Sequence, residues 1–158
     1  MNFDELPASA KVWMYQASRK LTSSEMDIIY EHASAFLHGW ESHGIEIQGS
    51  MDIVQGLFIR VAAFTDEPSM CGRAQDAQVR LMKELEAVLN IELTNRMLLS
   101  FGEEGNEYLV RLQDLNSGIL KGEITQETRF YNNLVTSKSE FQENWKQAAG
   151  KSWLKSYF

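Results

Sequence analysis

Apolar residues recur along this chain in two rhythms, steps of three and four in some stretches and steps of two in others, and the alternation outlines the elements. Lys11-Val12-Trp13-Met14-Tyr15-Gln16-Ala17 is dense in β-formers and reads as a first strand. Thr22-Ser23-Ser24-Glu25-Met26-Asp27 then opens a helix. Ser24 can accept from the backbone N–H near Asp27, and Asp27 can reach back, as in a capping box. Met26, Ile29, Ala33, Phe36, Leu37 and Trp40 fall on one face of that helix, and Gly44 stands where a left-handed cap would stop it.

Ile45-Glu46-Ile47 follows, and Ser50 to Val54 and Leu57 to Phe64 read as two strands joined at Gln55-Gly56, whose glycine relieves positive φ. Leu57 to Val61 is apolar on both faces apart from Arg60, which marks a central strand. A loop from Thr65 to Arg73 leads to a second helix from about Asp76 to Leu89, with Val79, Met82, Leu85 and Leu89 as its stripe and Asn90 ending it. Met97 to Phe101 is a fourth strand. The order strand, helix, strand, strand, helix, strand predicts an α+β fold: one antiparallel sheet with two helices on one face, the ferredoxin-like βαββαβ plan, over residues 1–104.

Residues 105–158 read as a small C-terminal α+β lobe. It holds a strand from Tyr108 to Leu112, a short helix from Asp114 to Leu120 closed by Gly122, a strand from Thr128 to Val135, a helical turn or two from Ser139 to Trp145, and a tail at Ser152-Trp153-Leu154. Leu115, Ile119, Leu120 and Ile124 are spaced to form one small core, which Trp145 and Trp153 can cap. A lobe this short is marginal alone and is expected to dock on the first part.

Composition narrows the function classes. The 158 residues carry 15 basic and 22 acidic side chains, a net charge of −7, with no run of Lys or Arg. A duplex-binding face needs clustered positive charge, so nucleic acid is not an expected partner. The most apolar stretch, Gly56 to Phe64, is short and carries Arg60, so it does not span a bilayer. The single cysteine, Cys71, makes no internal disulfide, and the acidic start Met1-Asn2-Phe3-Asp4-Glu5 lacks the order of a secretory signal. Cytoplasmic localisation is the expectation.

Catalytic signatures are missing: there is no phosphate-binding loop ending in Lys-Ser/Thr, no G-x-S-x-G, no H-E-x-x-H and no paired C-x-x-C. No residue is therefore assigned a catalytic or metal-ligating role, and no cofactor is expected. His32 and His43, on one helix face, would stand about 16 Å apart at ~1.5 Å rise per residue, too far to share a metal. The segment of interest is Asp66 to Asp76, between the central strand and the second helix. Ser69, Gly72 and Arg73 could complete an anion cradle at the helix N-terminus, where unpaired N–H groups and positive potential gather. In that field Cys71 is a candidate reactive thiol. The commoner reading is a capped helix start, with Ser69 or Asp76 as cap, Gly72 in the turn and Cys71 as a small buried group. Trp13 and Tyr15 share one strand face and read with Trp40 as core aromatics.

Trp13-x-Tyr15-Gln16, Val79-Arg80-x-x-Lys83-Glu84-Leu85-Glu86, Asn133-x-Val135-Thr136, Glu140-Phe141-x-x-x-Trp145 and Ser152-Trp153 together resemble a small uncharacterised bacterial family, over nearly the whole chain. Its members are sometimes labelled ABC transporter ATPases, a label without support in these residues because the phosphate loop and Walker acid are both absent. In that family the turn before the second helix reads Gly-Cys-Ser-Ile-Asp. Here Gly72 and Asp76 fit that frame, Arg73 stands in the cysteine place and Cys71 is displaced. Leu120-Lys121-Gly122-Glu123-Ile124 and Thr128 also resemble part of the second type of GYF-like domain, a likeness that implies protein or peptide binding. The functional expectation is a non-enzymatic module that binds a protein or peptide, or a second copy of itself. The alternative is a small enzyme or anion-binding domain built on Ser69 to Asp76.

Overall fold

The computed structural model of the protein describes residues 1–66 and 70–158. After a 3-10 turn at Phe3–Glu5, the chain forms β1 (Lys11–Gln16) and α1 (Ser23–His38). A two-residue hairpin, β2 (Glu41–Ser42) and β3 (Ile45–Glu46), precedes the longer strands β4 (Gln48–Val54) and β5 (Phe58–Phe64). Then come α2 (Gly72–Leu89), β6 (Leu98–Phe101), β7 (Tyr108–Arg111), α3 (Leu115–Leu120), β8 (Arg129–Tyr131), α4 (Lys138–Asn144) and β9 (Lys146–Ala148). The fold is α+β with antiparallel sheets. Among the described residues no helix is long and apolar enough to cross a membrane.

The first sheet has the order β1-β5-β4, and β5 is central, as its two-sided apolar character predicts. Gln55 and Gly56 both take left-handed conformations (φ 56° and 63°), and this tight turn fixes the β4–β5 register. That register aligns Trp13 with Val61 and Met51, and Tyr15 with Ile59 and Ile53, on one face. Both long helices cover this face. The Tyr15 hydroxyl donates to Gln78 Oε1 of α2 at 2.7 Å, while Leu37 of α1 and the Trp40 ring press on Gly49. A Cβ at Gly49 would stand 2.9 Å from both, so α1 reaches β4 only over a residue without a side chain.

On the reverse face Phe58 meets Tyr131 and Trp145 at ring-centre distances of 5.0 and 4.8 Å. Arg60 also points this way, which explains a charge in a central strand. Its cross-strand neighbour Asp52 accepts from Nε at 2.9 Å, and its guanidinium lies 3.7 Å over the Phe3 ring. Tyr131 and Trp145 thus pack on the reverse face of this sheet.

The expected fourth strand does not join this sheet. β6 instead forms a second sheet of order β7-β6-β8-β9. The place beside β1 is already filled: Val12 N–H donates to Thr136 O at 3.0 Å, Arg96 donates to Met14 O at 2.8 Å, and Gln16 N–H donates to Leu93 O at 3.4 Å. Chain fragments and one side chain thus take three of the outward groups that a strand would have paired. The expected division between residues 104 and 105 therefore falls in the turn joining two strands of one sheet. The second core draws Leu99 and Phe101 from β6 together with Leu115, Ile124, Phe130 and Leu154. Trp145 belongs to the first core, and Leu120, expected inside, is 88% exposed.

Helix ends shift as well. Thr22, not Ser24, caps α1: its hydroxyl accepts from Glu25 N–H at 3.2 Å and the Glu25 carboxylate accepts from Thr22 N–H at 2.9 Å. The helix stops at Gly39, and Gly44 (φ 78°) serves the β2–β3 turn instead. α2 starts at Gly72 with Cys71 as its N-cap residue, so Asp76 is not a cap. Its buried stripe is Ala74, Gln78, Leu81, Met82 and Leu85, while Val79 and Val88 are exposed. Asn90 closes it in the left-handed region, φ 53°.

Candidate functional site

Two places are candidate sites. The first, singled out by the sequence, is the N-terminus of α2. Cys71 takes extended backbone angles, its carbonyl accepts from Gln75 N–H at 3.2 Å, and its own N–H donates to Ser42 Oγ at 3.1 Å. The thiol is half-buried and is held below its ordinary value of 9.0. The Ser42 hydroxyl contributes most to this, followed by Ala74 N–H, with smaller contributions from the His43 and Arg73 N–H groups; desolvation works against them. Gly72 and Arg73 are exposed in the first turn, beside the thiol in sequence and space. Asp76 lies a turn further on, exposed, and Ser69 lies outside the described residues.

Of the three histidines, His43 alone reaches Cys71, and it does so through its backbone. His32 Nδ1 lies 2.9 Å from Ile28 O, one turn back on α1, and His38 ends that helix in solvent. Among the described residues no group of three or more His, Cys, Asp or Glu is placed to hold a metal ion. What this arrangement can do chemically is stabilise a thiolate. Sequence reasoning found the cysteine and missed Ser42 and His43. The signal available was Gly44, whose positive φ belongs to the tight hairpin that carries both residues to α2.

The second place is the outer edge of β7. Leu112 N–H donates to Met97 O, so within the β6–β7 ladder Val110 and Tyr108 exchange bonds with Leu99 and Phe101. By the same parity, the N–H and C=O groups of Leu109 and Arg111 turn away from β6. The Arg111 C=O is the first acceptor of the 3-10 turn Leu112–Asp114, which leaves the Leu109 N–H and C=O and the Arg111 N–H as the outward groups with no partner among the described residues. Alongside runs an open groove of about 600 Å³, with β7 as one wall and Asp114, Ser117, Gly118 and Lys121 as the other. Tyr108 stacks on Phe101 at 5.8 Å and closes one end, with its hydroxyl 3.4 Å from Glu123 O. Alternation along 108–112 predicts the strand, but its edge position depends on sheet order, which no local pattern encodes.

Trp13, Tyr15 and Trp40 are packed aromatics: Tyr15 is 3% and Trp40 4% exposed, and Trp40 Nε1 donates to Ala74 O at 2.8 Å. The chain matches no family model, no curated protein and no solved structure.

Proposed function

We propose that the protein is a non-enzymatic cytoplasmic binding module that takes up an extended segment of a partner protein, or of a second copy of itself, by adding it as a strand to β7. One observation carries the reading: Leu109 offers an unpaired backbone donor and acceptor, and Arg111 a further N–H, along an open groove of about 600 Å³. Main-chain bonds to such an edge supply affinity, and alternate side chains along the groove supply selectivity. Arg111 and Lys121 stand with Asp114 and Glu123 along its lining, so a segment of mixed charge matches it. The likeness of residues 105–158 to GYF-like domains points the same way, and the net charge of −7 argues against nucleic acid. We read β1, α1, β4, β5 and α2 as a ferredoxin-like half whose fourth-strand place is taken by Leu93, Arg96 and Thr136.

Leu109→Pro is the direct test, because that N–H faces outward and its loss leaves the β6 ladder intact. The wild type is expected to select extended peptides from a displayed library or to dimerise in light scattering, and the proline variant to do neither. A wild type that stays monomeric and selects nothing overturns the reading.

A second reading rests on the lowered Cys71 thiol: a small enzyme or anion-binding site at the start of α2, with Gly72 and Arg73 beside the nucleophile. It requires iodoacetamide to label the native protein well below pH 8, with phosphate slowing the reaction. An inert native thiol removes it.

A further inference from the structure

The junction of the two sheets is held at one carboxylate. Glu107, in the turn before β7, has a side chain wholly out of solvent (0% exposed). Three groups converge on it. Lys20 Nζ, from the loop after β1, donates to Oε1 at 2.8 Å; Gly105 N–H donates to the same oxygen at 3.1 Å; and Gln55 Nε2, from the β4–β5 turn, donates to Oε2 at 2.6 Å. Gln55 also reaches the Tyr131 hydroxyl of β8 at 3.2 Å, and its carbonyl accepts from Lys20 at 2.9 Å. The left-handed backbone of Gln55, φ 56°, presents both of these groups at once.

We propose that Glu107 is an acid-released latch between the sheets: its ionised carboxylate binds the β4–β5 turn to the β6–β7 turn, and protonation frees those turns while both cores stay packed. Every group that touches the carboxylate is a donor, so a proton added there meets N–H groups instead of an acceptor. The other ionisable groups of the neighbourhood are Tyr131 and, further out, Arg129 paired with Glu103 at 3.4 Å. Burial, the largest single influence on Glu107, raises its affinity for a proton; Lys20, its own backbone N–H and Gln55 together overcome this and leave it below the ordinary 4.5. A depressed folded value means the latch is complete above 4.5 and is lost as pH falls through the folded value. The turns open while the aromatic contacts of Phe58 with Tyr131 and Trp145, which carry no charge, remain.

Hydrogen exchange followed by NMR tests this. In the wild type, protection at Gly105 and Leu57 is expected to fall about tenfold per pH unit below the folded value, while Ala62 in β5 keeps its protection. Glu107→Gln is expected to be unprotected at Gly105 at every pH and to show no step. Lys20→Met, which keeps the carboxylate but removes its cation, is expected to move the step to higher pH. The latch is overturned if Ala62 loses protection together with Gly105, if Glu107→Gln retains the wild-type step, or if the step stays in place in Lys20→Met; the last test stands even where the glutamine variant fails to fold.

Discussion

Lys138 offers a sharp perturbation, because its ammonium is buried with no carboxylate beside it. The residue is 7% exposed, and its three protons go to three main-chain oxygens: Phe3 O at 3.1 Å, Asp4 O at 3.0 Å and Leu6 O at 2.7 Å. These are carbonyls at the end of the first 3-10 turn, of which Phe3 O alone also has a bond within the turn. Lys138→Met keeps the length and apolar stem while deleting the donors. Phe3 O retains a partner in Leu6 N–H at 3.1 Å, so two carbonyls are orphaned. At ~1–3 kcal/mol for each buried unpaired group, the loss is about 2–6 kcal/mol before offsets. Relief of the desolvated ammonium returns part of it, so a net loss of about 2–3 kcal/mol is expected. For a chain of this size that lowers Tm by roughly 4–12 °C.

Urea unfolding of the two proteins measures the change, and the same variant made without residues 1–7 shows whether the three carbonyls are its cause. In that truncated background the methionine is expected to be nearly neutral, since the acceptors have gone with the segment. A full-length Lys138→Met within about 0.5 kcal/mol of wild type would mean that desolvation cancels the three bonds. An equal loss in both backgrounds would place the effect in α4 instead of the N-terminal segment.

Three further outcomes follow from local geometry. Arg19 and the Thr22 backbone hold the Glu25 carboxyl at about 2, so the α1 cap is intact above 4.5 and fades as pH falls through about 2; wild type and Glu25→Gln should differ at pH 6 and converge near pH 1.5 in urea unfolding. Because Ser42 is the main group lowering the Cys71 thiol, Ser42→Ala should raise it and slow iodoacetamide labelling at pH 7, and an unchanged rate would remove Ser42 from that role. Glu86 accepts from Leu93 N–H at 2.8 Å, Thr94 N–H at 3.0 Å and the Thr94 hydroxyl at 3.0 Å, so Glu86→Ala should cost about 1–3 kcal/mol and free the 91–95 loop in hydrogen exchange.

Local chemistry was readable wherever a residue type has one physical use. Gln55-Gly56 announces a tight hairpin, Asn90 a left-handed stop, and the two-sided apolar run of β5 a central strand; all three stand in the structure. Choices among equivalent residues were not readable. Thr22, Ser23 and Ser24 can each cap a helix, and Thr22 is selected because Glu25, three residues on, is also fixed by Arg19 at 2.8 Å. The start of α2 was placed four residues late because Gly72 breaks the pattern of helix formers, while burial of Ala74 against Trp40 extends the helix. The strand expected over 128–135 shortens to Arg129–Tyr131, since beyond Asn132 the chain turns: Asn133 N–H donates to Tyr131 O at 3.1 Å, Val135 N–H to Asn132 O at 3.4 Å, and Asn133 Oδ1 accepts from the Trp145 indole at 3.0 Å. Sites set by contacts across long sequence distance left no local trace: Ser42 sits 29 residues from Cys71, and Glu107 sits 87 from Lys20.

The two larger sheets have four outer strand edges, and these differ in how their outward groups are met. On β1 the outward groups of Val12, Met14 and Gln16 are met by Thr136, Arg96 and Leu93. On β4 the Tyr30 hydroxyl takes the outward Ile53 N–H at 3.1 Å. β9 is three residues long, carries Lys146 and turns at once into the 3-10 helix Ala149–Lys151, the usual means by which a sheet blunts an edge. β7 is also short, carries Arg111 and runs into the 3-10 turn Leu112–Asp114. What sets it apart is the groove between it and α3, lined by Arg111, Asp114, Lys121 and Glu123. An open edge of this kind invites aggregation unless something fills it, and the strand addition proposed at Leu109 meets that need.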